Sequence, residues 1–374
     1  MRINLDDLGK WEEFAPLTLT RPVGNLRMGG LTNDERCKLL VPGIEVGYRT
    51  KSYLSGLFPE LNDAISLAGW VIPTAELMNA VLELRPDTRI VYEGQTIAIR
   101  GNGDRTEAFE GELLVLNKRW ELYQKNAQAL QADFDLITNG RQSQEISATN
   151  TIIDSGNALF LEEGASVEGC ILNATNGPIY VGKDAEIMEG SIVRGGLFMA
   201  EGSVLKLGTK IYGPTTLGPH CKVGGELNNC IFYGYSNKGH DGFLGNTLVG
   251  EWCNLGADTN TSNLKNNYGK VKTYSYTTGQ FEQTDVQFMG LVMGDHSKCG
   301  INTMFNTATV VGVSANVFGA EFPPKKIRSF TWGMGEEQFD FAKALESMNN
   351  MMIRRNRQLS DQEINVLKYL SDRE

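Results

Sequence analysis

Aliphatic residues recur at every sixth position between residues 181 and 223. A period of six fits neither the 3.6-residue turn of an α-helix nor the two-residue alternation of a half-exposed strand. It is typical of the hexapeptide repeat of a parallel β-helix, in which about three hexapeptides close one coil of about 18 residues. We therefore predict a solenoid whose core takes one aliphatic side chain from each face. The inward positions are Val181, Ile187, Val193, Met199, Leu205, Ile211, Leu217 and Val223.

The same register returns near residue 249 and continues to residue 317. Two stretches interrupt it, one between Asn228 and Gly242 and the other between Asn263 and Phe288. Because solenoids carry their insertions as surface loops, we predict that both stretches leave the coil as loops. The later inward positions are Val249, Leu255, Met293, Cys299, Phe305, Val311 and Val317.

The first part of the chain lacks this period. Apolar runs such as residues 65–72 alternate with helical patterns such as 76–84, and a longer amphipathic pattern predicts a helix over 117–137. Segments that alternate in this way are typical of a small α/β domain. A polar connector over residues 145–158 follows.

The chain thus divides into three predicted units. Residues 1–143 form the α/β domain, residues 144–330 the solenoid, and residues 331–374 a short helical tail. Within the tail we predict one helix from about Glu336 to Arg354 and a second that begins with a capping box at Ser360.

Composition and charge narrow the class of protein. The formal net charge of −10 argues against a general nucleic-acid binder. No apolar run approaches the roughly 18 residues of a membrane span, and the N-terminus lacks the pattern of a cleavable signal peptide. The six cysteines are scattered, which favours reduced thiols. We therefore predict a cytoplasmic protein whose partners are small molecules rather than nucleic acid or a membrane.

The most informative chemistry lies near the first interruption. His240 is one of three histidines, and glycines on both sides would let the backbone approach a ligand. Imidazole can take the proton of an amine near neutral pH, as acetyl transfer from a thioester requires. Asn254 and Asn263 can orient sugar hydroxyls, and Lys238 can meet a sugar phosphate. The alternative, an exposed loop histidine beside a structural asparagine ladder, stays open.

A second candidate site lies near the N-terminus. The segments 16–22 and 26–32 combine arginine, threonine and glycine, as phosphate sites do. The candidate nucleotide-binding residues are Arg21, Arg27 and Thr32. A structural loop with surface arginines is the alternative.

The stretch from Gly239 through Gly245, followed by Asn254-x-Gly256-Ala257-x-Thr259, is similar to the acetyltransferase half of the GlmU-type family. These proteins are bifunctional N-acetylglucosamine-1-phosphate uridyltransferase/glucosamine-1-phosphate acetyltransferases. The resemblance implies that His240 is the general base. It implies sugar ligands at Asn254 and at either Asn263 or Asn267, with Phe243 in the place of a substrate-side tyrosine.

The same resemblance implies acetyl-CoA as cofactor and fixes further expectations. The backbone of Gly256 and Ala257 would line the thioester, and the coil would be left-handed. The protein would be a homotrimer with active sites between neighbouring rods. The residues implied to meet the cofactor phosphates are Lys325, Lys326 and Arg328.

The first unit resembles an abbreviated sugar-nucleotidyltransferase domain of such fusions. The resemblance rests on Thr20-Arg21-Pro22, Leu26-Arg27, Thr32 and the helix at Trp120. It implies UTP and Mg²⁺ as possible cofactors of this domain. The family's glycine-rich opening, Leu-Ala-Ala-Gly-x-Gly-Thr-Arg-Met, is absent, which leaves uridylyl transfer open.

Three departures from the family leave the acceptor open. Asn228 stands where the family has a phosphate-binding lysine, Phe243 replaces the tyrosine, and the loop from Asn266 to Phe288 is longer. We predict acetyl transfer to an amino-sugar phosphate, glucosamine 1-phosphate, coupled to formation of a UDP-sugar. The alternatives are a sugar nucleotidyltransferase alone and a non-catalytic, sugar-nucleotide-binding scaffold.

Three histidines on a β-helix also raise the possibility of zinc. The γ-class carbonic anhydrases need two of these ligands only a few residues apart. His220, His240 and His296 are too widely separated for that pattern. We therefore predict no metal site in the coil.

Overall fold

The computed structural model describes residues 1–153, 156, 158–335 and 337–373. It opens with a mixed six-stranded sheet in the order β2-β1-β3-β5-β4-β6. β1 pairs in parallel with β2 and β3, whereas β5 runs antiparallel to β3 and β4. All four residues of β3 are buried, as expected for a strand covered on both faces. The strands are β1 Arg2–Asp6, β2 Glu45–Arg49, β3 Ile65–Ala68, β4 Thr88–Tyr92, β5 Gln95–Arg100 and β6 Arg105–Ala108.

Four α-helices accompany this sheet. Thr32 and Glu35 form a capping box that starts α1, and the Thr74 hydroxyl caps α2. The single helix predicted over residues 117–137 is divided, because Lys125 between α3 and α4 leaves the helical conformation. The helices are α1 Asn33–Leu40, α2 Ala75–Leu82, α3 Glu121–Gln124 and α4 Asn126–Thr138, and short 3₁₀ turns lie at Trp11–Phe14, Leu17–Thr20, Val23–Asn25 and Ser52–Leu54.

A parallel β-solenoid follows, as predicted from the period of six. Its coils visit three sheets in turn, which we name faces A, B and C. Face A comprises Thr151–Ile153, Ile171–Asn173, Ile192–Arg194, Lys210–Tyr212, Glu226–Asn228 and Phe243–Gly245. Face B comprises Leu159–Leu161, Ile179–Val181, Leu197–Met199, Thr215–Leu217, Ile231–Gly234, Leu248–Glu251, Val292–Met293, Val310–Val311 and Lys326–Ile327. Face C comprises Ser166–Val167, Glu186–Ile187, Val204–Leu205, Lys222–Val223, Asn237–Lys238, Asn254–Leu255, Lys298–Cys299, Asn316–Val317, Thr331–Trp332 and, antiparallel, Glu337–Gln338.

The interior of the solenoid is the predicted aliphatic column. All eight inward positions between residues 181 and 223 are buried in one core cluster, and so are the seven from 249 to 317. This confirms the hexapeptide interpretation at every position named. The polar connector predicted over residues 145–158 includes residues outside the described part of the chain.

The prediction of a loop between Asn228 and Gly242 is wrong. Between Asn228 and Gly242 the coil continues through strands on faces B and C. The coil from Val204 to Lys222 contains 18 residues, whereas the next coil, from Lys222 to Asn237, contains only 15. Shorter corners shift the inward positions, so the period of six disappears although the strands persist.

The second predicted loop is confirmed. The chain leaves the coil after Asn260–Thr261, which pairs with Met304–Phe305. An antiparallel bridge between Leu264 and Phe288 closes the base of the loop. Within it, Lys272–Ser275 and Gln280–Gln283 form an antiparallel hairpin.

Two helices end the chain, α5 at Phe341–Ile353 and α6 at Asp361–Ser371. The start predicted for α5, Glu336, lies outside the described residues, and the helix begins where the Asp340 side chain caps it. The capping box predicted for α6 is present, since Ser360 accepts from the Glu363 amide and Glu363 from the Ser360 amide. In the described part of the chain, no helix is long and apolar enough to cross a membrane.

The first domain and the tail both pack on the solenoid. Outward residues of face B, such as Ile231 and Leu248, belong to the same core cluster as the six-stranded sheet. Val313 and Phe330 join α5 and α6 in another cluster. Faces B and C are therefore partly covered by this chain. The handedness of the coil stays a prediction.

Candidate active site

A column of glycines runs along one corner of face C. Gly224, Gly239, Gly256 and Gly300 each follow directly after a face C strand, and those strands are paired in register. A Cβ at Gly256 would lie 2.5 Å from the Gly300 backbone. Because neighbouring coils are about 4.8 Å apart, the four glycines span about 15 Å. They form a strip parallel to the rod axis from which none of these four positions projects a side chain.

Polar side chains border this strip on face C. Lys222, Asn237, Asn254 and Lys298 occupy equivalent outward positions in four successive coils. Two amides therefore lie side by side, with an ammonium group above and below them. Carboxamides offer both donors and acceptors, so this ladder can hold a hydroxylated ligand at a fixed orientation.

The C-terminal end of α5 provides the opposite wall of the groove. Arg355 donates to the His220 carbonyl at 3.5 Å, and the Arg357 guanidinium lies 5.0 Å from the Tyr235 ring. Tyr235 stacks on Trp252 with ring centroids 4.2 Å apart. These contacts hold the end of α5 against the coil and enclose a groove of about 750 Å³.

The groove is strongly basic. Burial, followed by the charges of Arg355 and Lys206, lowers the pKa of Lys222, and burial lowers the pKa of Lys298. Among its described lining residues there is no carboxylate to offset the cations, so the groove attracts phosphates. The lining cations are Lys206, Lys222, Lys298, Arg354 and Arg355.

Four of the predicted site residues lie in this groove. His240 is exposed at its rim, and its imidazole has no hydrogen-bond partner in the part of the chain that the structure describes. Asn254 is exposed within the groove, and the backbone of Gly256 and Ala257 forms part of its floor. The Ala257 amide donates no hydrogen bond to any described residue. An imidazole, a carboxamide and an unused amide therefore face one basic groove.

Lys238 lies inside the coil instead. It occupies an inward position, in register with Val223, and is only 1% exposed. Its Nζ donates to the carbonyls of His240 at 2.6 Å, Asp241 at 2.9 Å and Gly224 at 3.1 Å. Burial lowers its pKa to about 8. Lys238 therefore holds the turn that presents His240, and its ammonium does not reach the groove.

The other predicted sugar ligands lie outside the groove in this chain. Asn263 donates to Asn246 Oδ1 at 2.8 Å and belongs to a corner ladder between faces A and B. Asn267 is exposed in the extruded loop and accepts from the Gly269 amide. Phe243 is half-buried on face A.

The predicted cofactor-phosphate residues also lie elsewhere in this chain. Lys326 donates to the Tyr276 hydroxyl at 2.6 Å and therefore lies beside the hairpin, whereas Lys325 donates to the Thr307 hydroxyl at 3.4 Å. Arg328 follows the same strand. None of the three lines the His240 groove.

The nucleotide-binding candidates have partners within the fold. Arg21 bonds Asp295 at 2.5 Å and Glu251 at 3.3 Å. Burial alone would lower the pKa of Arg21, but these two carboxylates together raise it. Arg27 donates to the Gly30 carbonyl and to Glu35, and Thr32 caps α1. All three side chains therefore make contacts within the fold.

The glycine pair in the same segment is occupied as well. The Gly30 amide donates to Asp133 Oδ2 at 2.7 Å and the Leu31 amide does so at 3.2 Å. Arg36 pairs with the same carboxylate at 2.6 Å, and the Gly29 amide donates to Asn126. A carboxylate of α4 thus fills the amide cluster for which a phosphate site and a structural loop were the two interpretations.

The three histidines have three different environments. His220 packs against Tyr235, His240 lies at the groove, and His296 is buried beside face B. Within the described residues no group of three or more His, Cys, Asp or Glu side chains is placed to hold a metal ion.

Asp7, at the end of β1, makes a testable contribution to stability. It accepts from the Val23 amide and the Thr50 hydroxyl, but burial dominates and raises its pKa from 3.8 to about 6. Such a group stabilises the native state fully below pH 3.8, and this contribution is lost as the pH rises through 6. Asp7→Asn should therefore be more stable than the native protein at about pH 8, with a difference that shrinks towards about pH 4. Urea denaturation at both pH values measures this, and a difference independent of pH would contradict it.

Comparisons with known proteins agree with the resemblance inferred from the sequence. Residues 3–142 match the family model described as sugar nucleotidyl transferase. The first domain is similar to sugar nucleotidyl transferases. The chain is also 29% identical over 104 residues to the bifunctional protein GlmU of Methanocaldococcus jannaschii, a stretch that covers 28% of this chain and 25% of that protein. The match spans about a quarter of the length of that relative. The predicted resemblance to a divergent GlmU-type transferase family is confirmed, and the site residues stay predictions.

Proposed function

We propose that the His240 groove transfers an acetyl group from acetyl-CoA to the amino group of an amino-sugar phosphate, with glucosamine 1-phosphate as the acceptor. The single observation that carries this proposal is the groove itself, which combines an unpartnered imidazole, the carboxamide of Asn254 and five cations around one glycine strip within the described structure. The similarity to a bifunctional GlmU protein supports it.

Acetyl-CoA fits the groove by shape and charge. Its pantetheine arm is a narrow, extended chain with amide groups, which suits the glycine strip along the rod. Its phosphates suit the cations of Lys206, Lys222, Arg354 and Arg355. The thioester would then lie near Gly256 and Ala257, close to the rim where His240 stands.

The proposed reaction needs one proton acceptor and one oxyanion donor. The sugar ammonium group first releases one proton to solvent, and the free amine attacks the thioester carbonyl carbon while His240 takes a second proton from the attacking nitrogen. The Ala257 amide donates to the oxyanion that forms, as unused backbone amides do in acyl transfer. The tetrahedral intermediate then expels the CoA thiolate, and the imidazolium returns the proton to the sulfur. The products are the N-acetylated sugar and CoA.

The acceptor sugar would be held by the amide ladder of face C. Asn254 and Asn237 are adjacent in register, so both can bond hydroxyls on one ring. Asn237 takes the part that we predicted for Asn263, which lies at another corner of this chain. Lys298, next in register to Asn254, would meet the sugar phosphate.

The test is thiol release from acetyl-CoA in the presence of glucosamine 1-phosphate. Release that depends on the sugar and on His240 supports the proposal. If no release occurs with this acceptor or with other amino-sugar phosphates, the groove is not an acetyltransferase site.

The tail arginines provide a sharper prediction. The double variant Arg354→Ala/Arg355→Ala should raise the KM for acetyl-CoA about 10- to 100-fold, because it removes charge-assisted hydrogen bonds worth about 1.5–3 kcal/mol. The matched control, Lys325→Ala/Lys326→Ala, removes two cations that lie outside the groove. If only the control raises KM, the phosphates bind where the resemblance placed them, on another part of the rod.

Nucleotidyl transfer by the first domain is the second candidate function. The match of residues 3–142 to the sugar nucleotidyl transferase model favours it. UTP would be the nucleotide and Mg²⁺ the ion that usually accompanies its phosphates. Pyrophosphate release from UTP with N-acetylglucosamine 1-phosphate and Mg²⁺ measures this activity separately from thiol release. A non-catalytic, sugar-nucleotide-binding scaffold would bind ligands without either release.

We also propose a cytoplasmic homotrimer. Face A carries exposed isoleucines on consecutive strands, which a monomer would leave in water. Their side chains would be covered if three rods packed side by side. Light scattering measures the mass in solution, and a monomer at micromolar concentration would overturn the proposal. The exposed residues are Ile152, Ile153, Ile171 and Ile192.

A further inference from the structure

A charged side chain occupies an inward position of the solenoid, beneath the turn that carries His240. Lys238 lies in register with Val223 and is 1% exposed. The inward positions before and after it on face C hold the aliphatic residues Val223 and Leu255. Because burial penalises a charge and favours an aliphatic side chain, the stability of the coil alone does not account for a lysine here. We name residues 239–242, which follow it, the His240 turn.

The ammonium group of Lys238 connects the His240 turn to the preceding coil. Its Nζ donates to the carbonyls of His240 at 2.6 Å and Asp241 at 2.9 Å, both in the turn. It also donates to the carbonyl of Gly224 at 3.1 Å, in the glycine strip. A Cβ at Gly225 would lie 3.0 Å from Nζ, so the glycine there leaves room for this approach. One side chain therefore holds the turn against the neighbouring coil.

The protonation state of Lys238 determines whether all three carbonyls have donors. An ammonium group has three N–H donors and no acceptor, so it matches the three carbonyls one to one. A neutral amine has two donors and one lone pair, so one carbonyl would lose its partner and face that lone pair. A buried carbonyl without a donor is unfavourable. Because Gly224 is buried whereas His240 and Asp241 are exposed, the turn is the part that can move away.

The surroundings of Lys238 bring its titration close to neutral pH. Burial lowers the pKa of Lys238 to about 8, although the carboxylates of Asp241 and Asp258 act in the opposite direction. Two thiols, those of Cys230 and Cys299, also face it inside the coil. Burial raises the pKa of both thiols, so they stay neutral where Lys238 titrates. Lys238 therefore changes its charge within the pH range of an ordinary assay.

We propose that protonation of Lys238 controls the position of His240. The ammonium form holds the His240 turn against Gly224, with the imidazole at the rim of the groove, and the neutral amine releases the turn. Lys238 is thus a positioning residue that acts through the backbone of His240 and touches no substrate. Its effect on catalysis rests on acetyl transfer as the function of the groove, whereas the conformational change of the turn does not.

Hydrogen exchange of the native, full-length protein tests the conformational change without an activity assay. The Asp258 amide donates to the Asp241 carbonyl at 3.0 Å, the same oxygen that accepts from Lys238, so it reports the position of the turn. We expect its protection factor, which is corrected for the intrinsic exchange rate at each pH, to fall at least about tenfold between about pH 7 and about pH 9.5. The control is the Val204 amide, which donates to the Cys221 carbonyl at 2.8 Å in another coil and should keep its protection. Constant protection of Asp258, or an equal loss at both amides, would overturn the proposal.

Thiol release at saturating acetyl-CoA and sugar phosphate tests the consequence for catalysis. The kcat of the native protein should fall at least about fivefold from about pH 7 to about pH 9.5, with a midpoint at about pH 8, while KM changes less. His240 alone, as a base, would give a rate that only rises with pH. Lys238→Met keeps an unbranched side chain that neither donates nor titrates. Its kcat at about pH 7 should be at least about tenfold below the native value, without the alkaline fall.

Val223→Ala is the matched control, because it alters the neighbouring inward position and leaves the contacts of Lys238 in place. It should keep the alkaline fall in kcat, and circular dichroism checks that both variants are folded. An alkaline fall that persists in Lys238→Met, or a native kcat of that variant at neutral pH, would overturn the proposal. If Lys238→Met does not fold, the exchange measurement on the native protein decides. If the native protein releases no thiol with any amino-sugar phosphate, acetyl transfer fails, and hydrogen exchange still decides whether Lys238 controls the turn.

Discussion

Replacement of His240 by alanine should lower the kcat of acetyl transfer by about 10²–10⁴ while leaving the fold intact. This corresponds to a loss of roughly 3–5 kcal/mol of transition-state stabilisation at 1.36 kcal/mol per tenfold. The fold should survive because the imidazole is exposed and has no bonding partner in the described structure. The turn itself is held from inside by the ammonium group of Lys238. Thiol release and circular dichroism measure the two effects.

The control for this variant is His220→Asn. His220 also lies at a corner of the coil, but it packs against Tyr235 and does not line the groove. Asparagine tolerates its positive φ of 56°, so the backbone should not change. We expect nearly native turnover. Unchanged turnover in His240→Ala would remove His240 from the role of base, whatever the control shows.

The core of the solenoid was predictable because its buried positions follow a fixed spacing along the sequence. Each inward position from Val181 to Val223 is fixed by one spacing, and a polar residue there would lose its contact with water. The interruption of this spacing predicted the loop after Asn263, although the same kind of interruption around Asn228 has another cause. The region around Asn228 was not predictable, because the coil shortens from 18 to 15 residues and the strands move out of phase with a fixed period.

The role predicted for Lys238 was wrong because the strand that contains it was taken for a loop. A lysine next to a candidate base looks like a phosphate ligand when the segment is taken for a loop. In the structure it takes the inward position of a strand, and three carbonyls satisfy its three donors. Lys222 and Lys298, which precede the inward residues Val223 and Cys299, lie outward instead. The arginines at the end of α5 could not be found this way, because tertiary packing alone brings the tail to the groove.

The segment around Gly29 and Gly30 does bind an anionic group, but that group is a carboxylate of the protein itself. Glycine amides beside an arginine attract an anion, and the sequence was sufficient to predict that. It could not say that the anion would be Asp133, about a hundred residues later in the same chain. The residue types predict that such a cluster of amides binds an anion, whereas the fold determines which anionic group lies there.

Asp133→Ala should lower the free energy of unfolding by about 3–5 kcal/mol, the usual effect of removing one partner from a buried ion pair. Arg36 is 1% and Asp133 2% exposed on their side chains, and Nη2 and Oδ2 are 2.6 Å apart. The variant would leave the guanidinium buried without its counter-charge. It would also remove the acceptor for the amides of Gly30 and Leu31. Urea denaturation at neutral pH measures the change.

An exposed ion pair provides the matched control. Arg85 and Glu107 are also 2.6 Å apart, but their side chains are 67% and 39% exposed. Glu107→Ala should therefore cost less than about 1 kcal/mol, because water screens the pair. Equal effects of the two substitutions would show that burial does not set the strength of the Asp133 contact.

The double variant Arg36→Met/Asp133→Leu separates the ion pair from the amide contacts. Replacing both charges of a buried pair by apolar groups is often neutral in free energy, since neither charge is then left unpaired. Here the introduced leucine side chain could not accept from the amides of Gly30 and Leu31, so a residual loss of about 1–3 kcal/mol is expected. A double variant as stable as the native protein would show that these amides find other partners. In that case the carboxylate of Asp133 would matter to the fold only through its charge on Arg36.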